Sequence, residues 1–160
     1  MCDITHLEGY VDSSFQNKHS VSVFKFKEID TYFVVKINMV DSSTEAEFVG
    51  IVAACNYVLS KYPLIKSFNI TTDSQSAKNT FFPMTMENFG IRTKIPDAKN
   101  LKDLFKNLNI DFNVFFQYRN TCEELANCDH IARSFIQGRG DVSFVNFSKM
   151  ETLKTEIINP

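Results

Sequence analysis

Phe68-Asn69-Ile70-Thr71-Thr72-Asp73-Ser74-Gln75 reads as a short strand that stops on a carboxylate. Phe68 and Ile70 share one face of the strand. Asp73 stands where it ends, and Ser74 opens a polar helical stretch reaching to about Phe82. A side chain at the C-terminal end of a strand projects into the crevice where open α/β sheets place their ligands. An aspartate there also serves as a helix N-cap, so Asp73 decides little alone. It gains weight beside Asp12, Glu47 and Asp129.

Upstream of this stretch the pattern has period two. Thr5 to Phe15, Val21 to Glu28 and Thr31 to Val40 read as three strands joined by short polar turns, an antiparallel meander. The period then changes. Glu47, Gly50, Ile51, Ala54 and Val58 recur at helical spacing, predicting a helix from Ser43 to Lys61, with Pro63 marking its end. Downstream, 83–99 reads as irregular and Lys99 to Leu108 as a helix with Leu101, Leu104, Phe105 and Leu108 on one face. Ile110 to Tyr118 reads as a strand. Thr121 to Gln137 is a last helix with Leu125, Cys128, Ile131, Ala132 and Phe135 inward. Three antiparallel strands followed by strands alternating with helices imply an α/β fold built on a mixed sheet with helices on its faces.

A chain of 160 residues with 16 Phe, 5 Gly and 4 Pro has the composition of one folded domain rather than a disordered segment. The domain is expected over 1–138. The tail, 139–160, shows no clear period and has no assigned role. A formal net charge of −2 argues against a polyanion binder driven by overall charge, though not against a local basic face. Cys2, Cys55, Cys122 and Cys128 form no CxxC pair, so reduced thiols in an intracellular protein are expected. Neither a signal peptide nor a membrane span is expected.

The acids fall in informative places. Asp12 lies near the end of the first strand on the face opposite Val11, where an Asp before two serines also fits a turn. Two glutamates open the first helix. Ser42-x-x-Glu45 matches a capping box, which accounts for Glu45. Glu47 instead continues the sheet-facing stripe, where an unpaired acid is costly unless it meets a partner or a metal ion. Asp129 borders the inward stripe of the last helix, at a position equally open to a solvated edge. Four clustered carboxylates without His or Cys favour Mg²⁺ or Mn²⁺. A pair of such ions suits phosphodiester cleavage.

With these pieces assembled, the sequence resembles a type 1 ribonuclease H over roughly Thr5 to Gln137. The resemblance is carried by Tyr10-Val11-Asp12-Ser13-Ser14, Ser42-Ser43-Thr44-Glu45-Ala46-Glu47-Phe48, Thr72-Asp73-Ser74-Gln75 and Cys128-Asp129-His130-Ile131-Ala132-Arg133, in matching order and spacing. It implies a five-stranded mixed sheet in the order 3-2-1-4-5. It implies hydrolysis of the RNA strand of an RNA–DNA hybrid by two Mg²⁺ (or Mn²⁺) ions, leaving 5′-phosphate and 3′-hydroxyl ends. Asp12, Glu47, Asp73 and Asp129 would be the metal ligands, and Ser42, Thr44 and Gln75 would contact substrate backbone and sugar.

The sequence also departs from the family. Ser13 stands where the family usually has Gly, and no His occurs in the loop before the last helix, where Arg119 lies instead. The Trp-bearing basic handle of some bacterial members is missing. Arg92, Lys94, Lys99, Lys102 and Lys106 could supply a weaker basic surface or simply a solvated face. The expected partner is a hybrid bound by a monomer, with no membrane. The alternatives are a nuclease of the same fold acting on another nucleic acid and a non-catalytic binding domain.

Overall fold

The computed structural model describes residues 3–83, 90–138 and 149–153. Its elements run β1 (His6–Gln16), β2 (His19–Phe26), β3 (Thr31–Asn38), α1 (Ser43–Lys61), β4 (Ser67–Thr72) and α2 (Gln75–Phe81). A short 3₁₀ turn (Arg92–Lys94) then leads into α3 (Ile95–Asn107), followed by β5 (Asp111–Phe116), a second 3₁₀ turn (Arg119–Thr121), α4 (Glu123–Ile136) and β6 (Lys149–Leu153).

The strands form one six-stranded sheet in the order β5-β4-β1-β2-β3-β6. Its first five strands stand in the expected order. β1 pairs antiparallel with β2 and β2 with β3, whereas β4 runs parallel to β1 and β5 parallel to β4. The sixth strand corrects the five-strand expectation: Lys149–Leu153, from the tail, runs parallel to β3. The β1–β2 hairpin closes through Asn17 and Lys18, both at positive φ (51° and 66°), the backbone that a two-residue turn between twisted strands requires.

Two layers cover the sheet. On one face α1, α2 and α3 enclose an aromatic core. Phe24, Phe26, Phe33 and Tyr57 meet over the meander, and Phe68, Phe105 and Phe112 over β4 and β5, the last two stacked at 4.3 Å between ring centroids. On the other face α4 sets Cys128, Ile131 and Ala132 against Val21, Val23 and Val34. The meander therefore buries side chains on both faces, which is why Ser22 and Phe24 and their neighbours Val21 and Val23 are all buried.

Several expectations shift. α3 begins at Ile95, four residues before the expected start, because Pro96 falls in its first turn, where its missing N–H has no helical partner to lose. On α3 Phe105 is buried, but Leu104 and Leu108 are exposed and do not join the expected inward face. The last helix starts at Glu123, after the Arg119–Thr121 turn, rather than at Thr121. Residues 84–89, part of the stretch read as irregular, lie outside the described residues, as does Cys2. Cys55, Cys122 and Cys128 are free thiols.

Candidate metal centre

Three elements converge just past the last β1–β4 pair, Val11 with Thr72, so that Asp12 lies within β1, four residues before its end, rather than near it. Asp12 projects from β1, with its Oδ1 accepting from the Ser13 N–H at 2.9 Å. Asp73 follows β4 directly. It is not the cap of the next helix: Ser74 takes that role, its hydroxyl accepting from the Ala77 N–H at 3.1 Å. The N-cap reading of Asp73 therefore falls, and its carboxylate stands beside those of Asp12 and Glu47.

Glu47 arrives on α1. Ser42 caps that helix by accepting from the Glu45 N–H at 3.1 Å, and Glu45 Oε1 accepts from the Asp41 N–H at 2.8 Å. The capping box thus forms with its return bond one residue earlier than the usual pattern, and Glu45 also pairs with Lys94 at 2.9 Å. Glu47, two residues on, points to the sheet instead. Gly50, one turn further, lets α1 sit against the Ser13 and Ser22 hydroxyls, which bond each other at 2.7 Å.

The result is a tight acidic cluster. Asp12, Glu47 and Asp73 each offer an oxygen within 4.8 Å of the others, close enough to share one cation. Asp12 Oδ2 and Glu47 Oε1 are buried oxygens without a hydrogen-bond partner. Buried polar atoms are ordinarily satisfied, so such a pair marks a place that wants a cation. Burial, and then the Asp73 charge, pushes the Asp12 carboxyl up to about 8. Burial, and then the Asp12 charge, holds the Glu47 carboxyl well above the usual carboxylate range.

Asp129 does not join this trio directly. It is buried on α4, and both its oxygens are held by guanidinium groups, Oδ1 by Arg119 Nη1 at 2.7 Å and Oδ2 by Arg133. Arg119 links it to the others, with Nη1 3.8 Å from Asp12 Oδ2 and Nε 3.9 Å from Asp73 Oδ2. Burial works to lower the Arg119 pKa, but the carboxylates of Asp129, Asp12 and Asp73 outweigh it and raise it. The sequence placed Arg119 in the right loop without showing this contact.

The residues expected to touch substrate are spread around the rim. Ser42 is exposed and engaged as a cap, Thr44 is half-buried in the first turn of α1, and Gln75 is exposed at the start of α2. The basic surface is largely committed elsewhere: Lys94 to Glu45, Lys99 to Asp103 and Lys102 to the Phe81 carbonyl. Among the described residues no helix is long and apolar enough to cross a membrane.

Neither a scan against protein-family models nor a search of curated proteins gives a match. Solved structures do match. RNase H1 from Halobacterium salinarum superposes with a TM-score of 0.56 at 14% identity, covering 83% of this chain and 98% of that one. The fold is ribonuclease H-like. The N-terminal RNase H domain of Rv2228c from Mycobacterium tuberculosis agrees, with a TM-score of 0.61 at 9% identity over 85% of this chain and 96% of that one. So does LC11-RNase H1, solved in complex with an RNA/DNA hybrid, with a TM-score of 0.52 at 12% identity over 80% of this chain and 94% of that one. At such identities the likeness extends to the ribonuclease H-like fold alone.

Proposed function

We propose that this protein is a divalent-metal-dependent endonuclease that hydrolyses the RNA strand of RNA–DNA hybrids, acting as a monomer. The observation that carries the reading is the Asp12–Glu47–Asp73 cluster, with two buried oxygens lacking partners, where the β1–β4 pairing of a ribonuclease H-like sheet ends. An all-carboxylate donor set fits a hard cation, Mg²⁺ or Mn²⁺. When bound, such an ion supplies charge stabilisation at the phosphoryl group.

The chain's own residues do the rest. Asp12, Glu47 and Asp73 would hold the cation, and the Ser13 N–H fixes the Asp12 carboxylate. The Ser42 hydroxyl, already an acceptor for its helix, keeps its own proton to donate to a phosphate or sugar oxygen. Thr44 and Gln75, on the first turns of α1 and α2, lie close in sequence to Glu47 and Asp73. Recognition of the 2′-hydroxyl is what separates an RNA strand from a DNA strand. In the reaction a water oxygen bonds to phosphorus and the 3′-oxygen departs, taking up a proton. The products are 5′-phosphate and 3′-hydroxyl ends. With a net charge of −2 and with Lys94, Lys99 and Lys102 already engaged, binding rests on few phosphate contacts and weakens steeply with salt.

The test is incubation of end-labelled hybrid, duplex DNA, duplex RNA and single strands with the protein, in Mg²⁺ or in EDTA. Cutting of the RNA strand of the hybrid in Mg²⁺ alone is expected. Intact hybrid with degraded RNA would shift the substrate to another nucleic acid. No cleavage, with hybrid bound, would leave a binding domain.

A further inference from the structure

Among the described residues Arg119 is the one cation paired with both Asp12 and Asp73, and its backbone is pinned. The turn Arg119–Thr121 is closed by the Thr121 N–H on the Tyr118 carbonyl at 3.0 Å and the Cys122 N–H on the Arg119 carbonyl at 3.2 Å. The Gln117 side chain braces the Thr121 carbonyl at 3.1 Å. From that base one guanidinium plane faces Asp129, Asp12 and Asp73.

We infer that Arg119 occupies the position of a second cation, between Asp12 and Asp129, so that the free protein takes up a single divalent ion, at Asp12, Glu47 and Asp73. The inference rests on the metal site proposed above.

Three observations support it. Asp129 has no oxygen to spare, since Arg119 and Arg133 engage one each. An ion bound there would have to displace a guanidinium from a charge-assisted bond, a strong class of hydrogen bond. Asp12, Glu47 and Asp73 instead bring one oxygen each within 4.8 Å of the others, and Arg119 stands off at 3.8 and 3.9 Å from two of them. Charge points the same way. Asp12, Glu47, Asp73 and Asp129 carry four negative charges when ionised, and Arg119 and Arg133 offset two. One divalent ion neutralises the remainder. A second would leave the substrate-free site with two uncompensated positive charges.

Mn²⁺ uptake by the full chain tests this without substrate. Equilibrium dialysis gives the stoichiometry, and electron paramagnetic resonance distinguishes isolated Mn²⁺ from the exchange-coupled pair expected for two ions about 4 Å apart. The wild type should saturate at one isolated Mn²⁺ per chain, up to roughly ten times the concentration that fills the first site. Arg119→Ala and Arg119→Gln should saturate at two, with a coupled signal. Circular dichroism confirms that the variants fold, and the Gln variant keeps most of the side-chain volume if the Ala variant does not.

Two ions in the wild type would overturn the inference, as would one ion in both folded variants. Two ions in a wild type that cuts hybrid would leave the proposed function standing. One ion in a wild type that leaves hybrid intact would do the reverse. No uptake at all would refute both.

Discussion

Gly50→Ala tests how the acids are held together. An ideal Cβ at Gly50 would stand 2.7 Å from Ser13 Oγ, 2.8 Å from Ser22 Oγ and 3.2 Å from Ser22 Cβ. The two hydroxyls bond each other, and Ser22 is fully buried, so neither can turn away without giving up that bond. Losing a hydrogen bond costs about 0.5–1.5 kcal/mol, and overpacking a tight contact costs about 1–3 kcal/mol. Alanine in place of glycine inside a helix returns up to about 1 kcal/mol. The balance is a loss of about 0.5–3.5 kcal/mol, or a melting point lowered by about 1–14 °C for a chain of this size. The functional effect should be larger than the thermal one. Glu47 stands one turn before Gly50, so pushing α1 off the sheet carries its carboxylate away from Asp12. Melts without metal, and Mn²⁺ titration by calorimetry, read the two effects separately. A variant that melts no lower than the wild type and takes up the ion with unchanged affinity would refute the reasoning.

Other outcomes follow from the same geometry. Glu45→Ala, which loses the return bond to Asp41 and the Lys94 pair, should cost about 0.5–2 kcal/mol in urea unfolding and leave cleavage nearly intact. Glu47→Gln should abolish Mn²⁺ uptake while leaving metal-free stability equal or higher, since it relieves repulsion with Asp12; a clear loss of stability would contradict this. The Asp12 carboxyl, at about 8 in the fold against about 3.9 in an unfolded chain, keeps its proton in the folded state while the unfolded chain loses it. Metal-free stability should therefore fall as pH rises from about 4 to about 8. Ion affinity should rise over the same range. Melts of Asp12→Asn across that range should lack this part of the fall. Gln75→Ala should raise KM for hybrid more than it lowers kcat, because it removes binding shared by ground and transition states; a fall in kcat at unchanged KM would place Gln75 in the chemistry.

Much of the site was legible because local rules separate its residues. Ser42 and Glu45 are three apart and Glu47 falls on the Gly50–Ala54 stripe. One spacing rule therefore assigned the two glutamates to different tasks, and α1 has the bounds the sequence predicts. Asp73 could not be assigned locally, because Asp and Ser are both good caps and only the bond from Ala77 to Ser74 chooses between them. β6 escaped for another reason. A five-residue parallel edge strand pairs with β3, far upstream in the chain, and Lys-Met-Glu-Thr-Leu carries little alternation to announce it. Arg119 is the largest omission. A residue type in a loop says nothing of three carboxylates arriving from β1, β4 and α4, and that convergence exists only in the assembled fold.

The cluster divides into parts of different stiffness, and this bears on how substitutions will act. β1 lies between β2 and β4 and is covered by α1 on one face and α4 on the other, so Asp12 and Glu47 are fixed by the best-packed elements of the chain. Their spacing opposes folding, since burial and the neighbouring carboxylates disfavour the charged form of both. The Phe24–Phe33–Tyr57 and Phe68–Phe105–Phe112 packing supplies the restoring force, at about 1.5–3 kcal/mol for each fully buried Phe. Arg119 and Arg133 are each about half exposed, at 49% and 53% for their side chains, but each holds one oxygen of the buried Asp129. Substitutions beneath Asp12 and Glu47 should therefore change stability and ion affinity together. Substitutions at Arg119 should change ion number and also lower metal-free stability, because they leave one oxygen of the buried Asp129 without its partner.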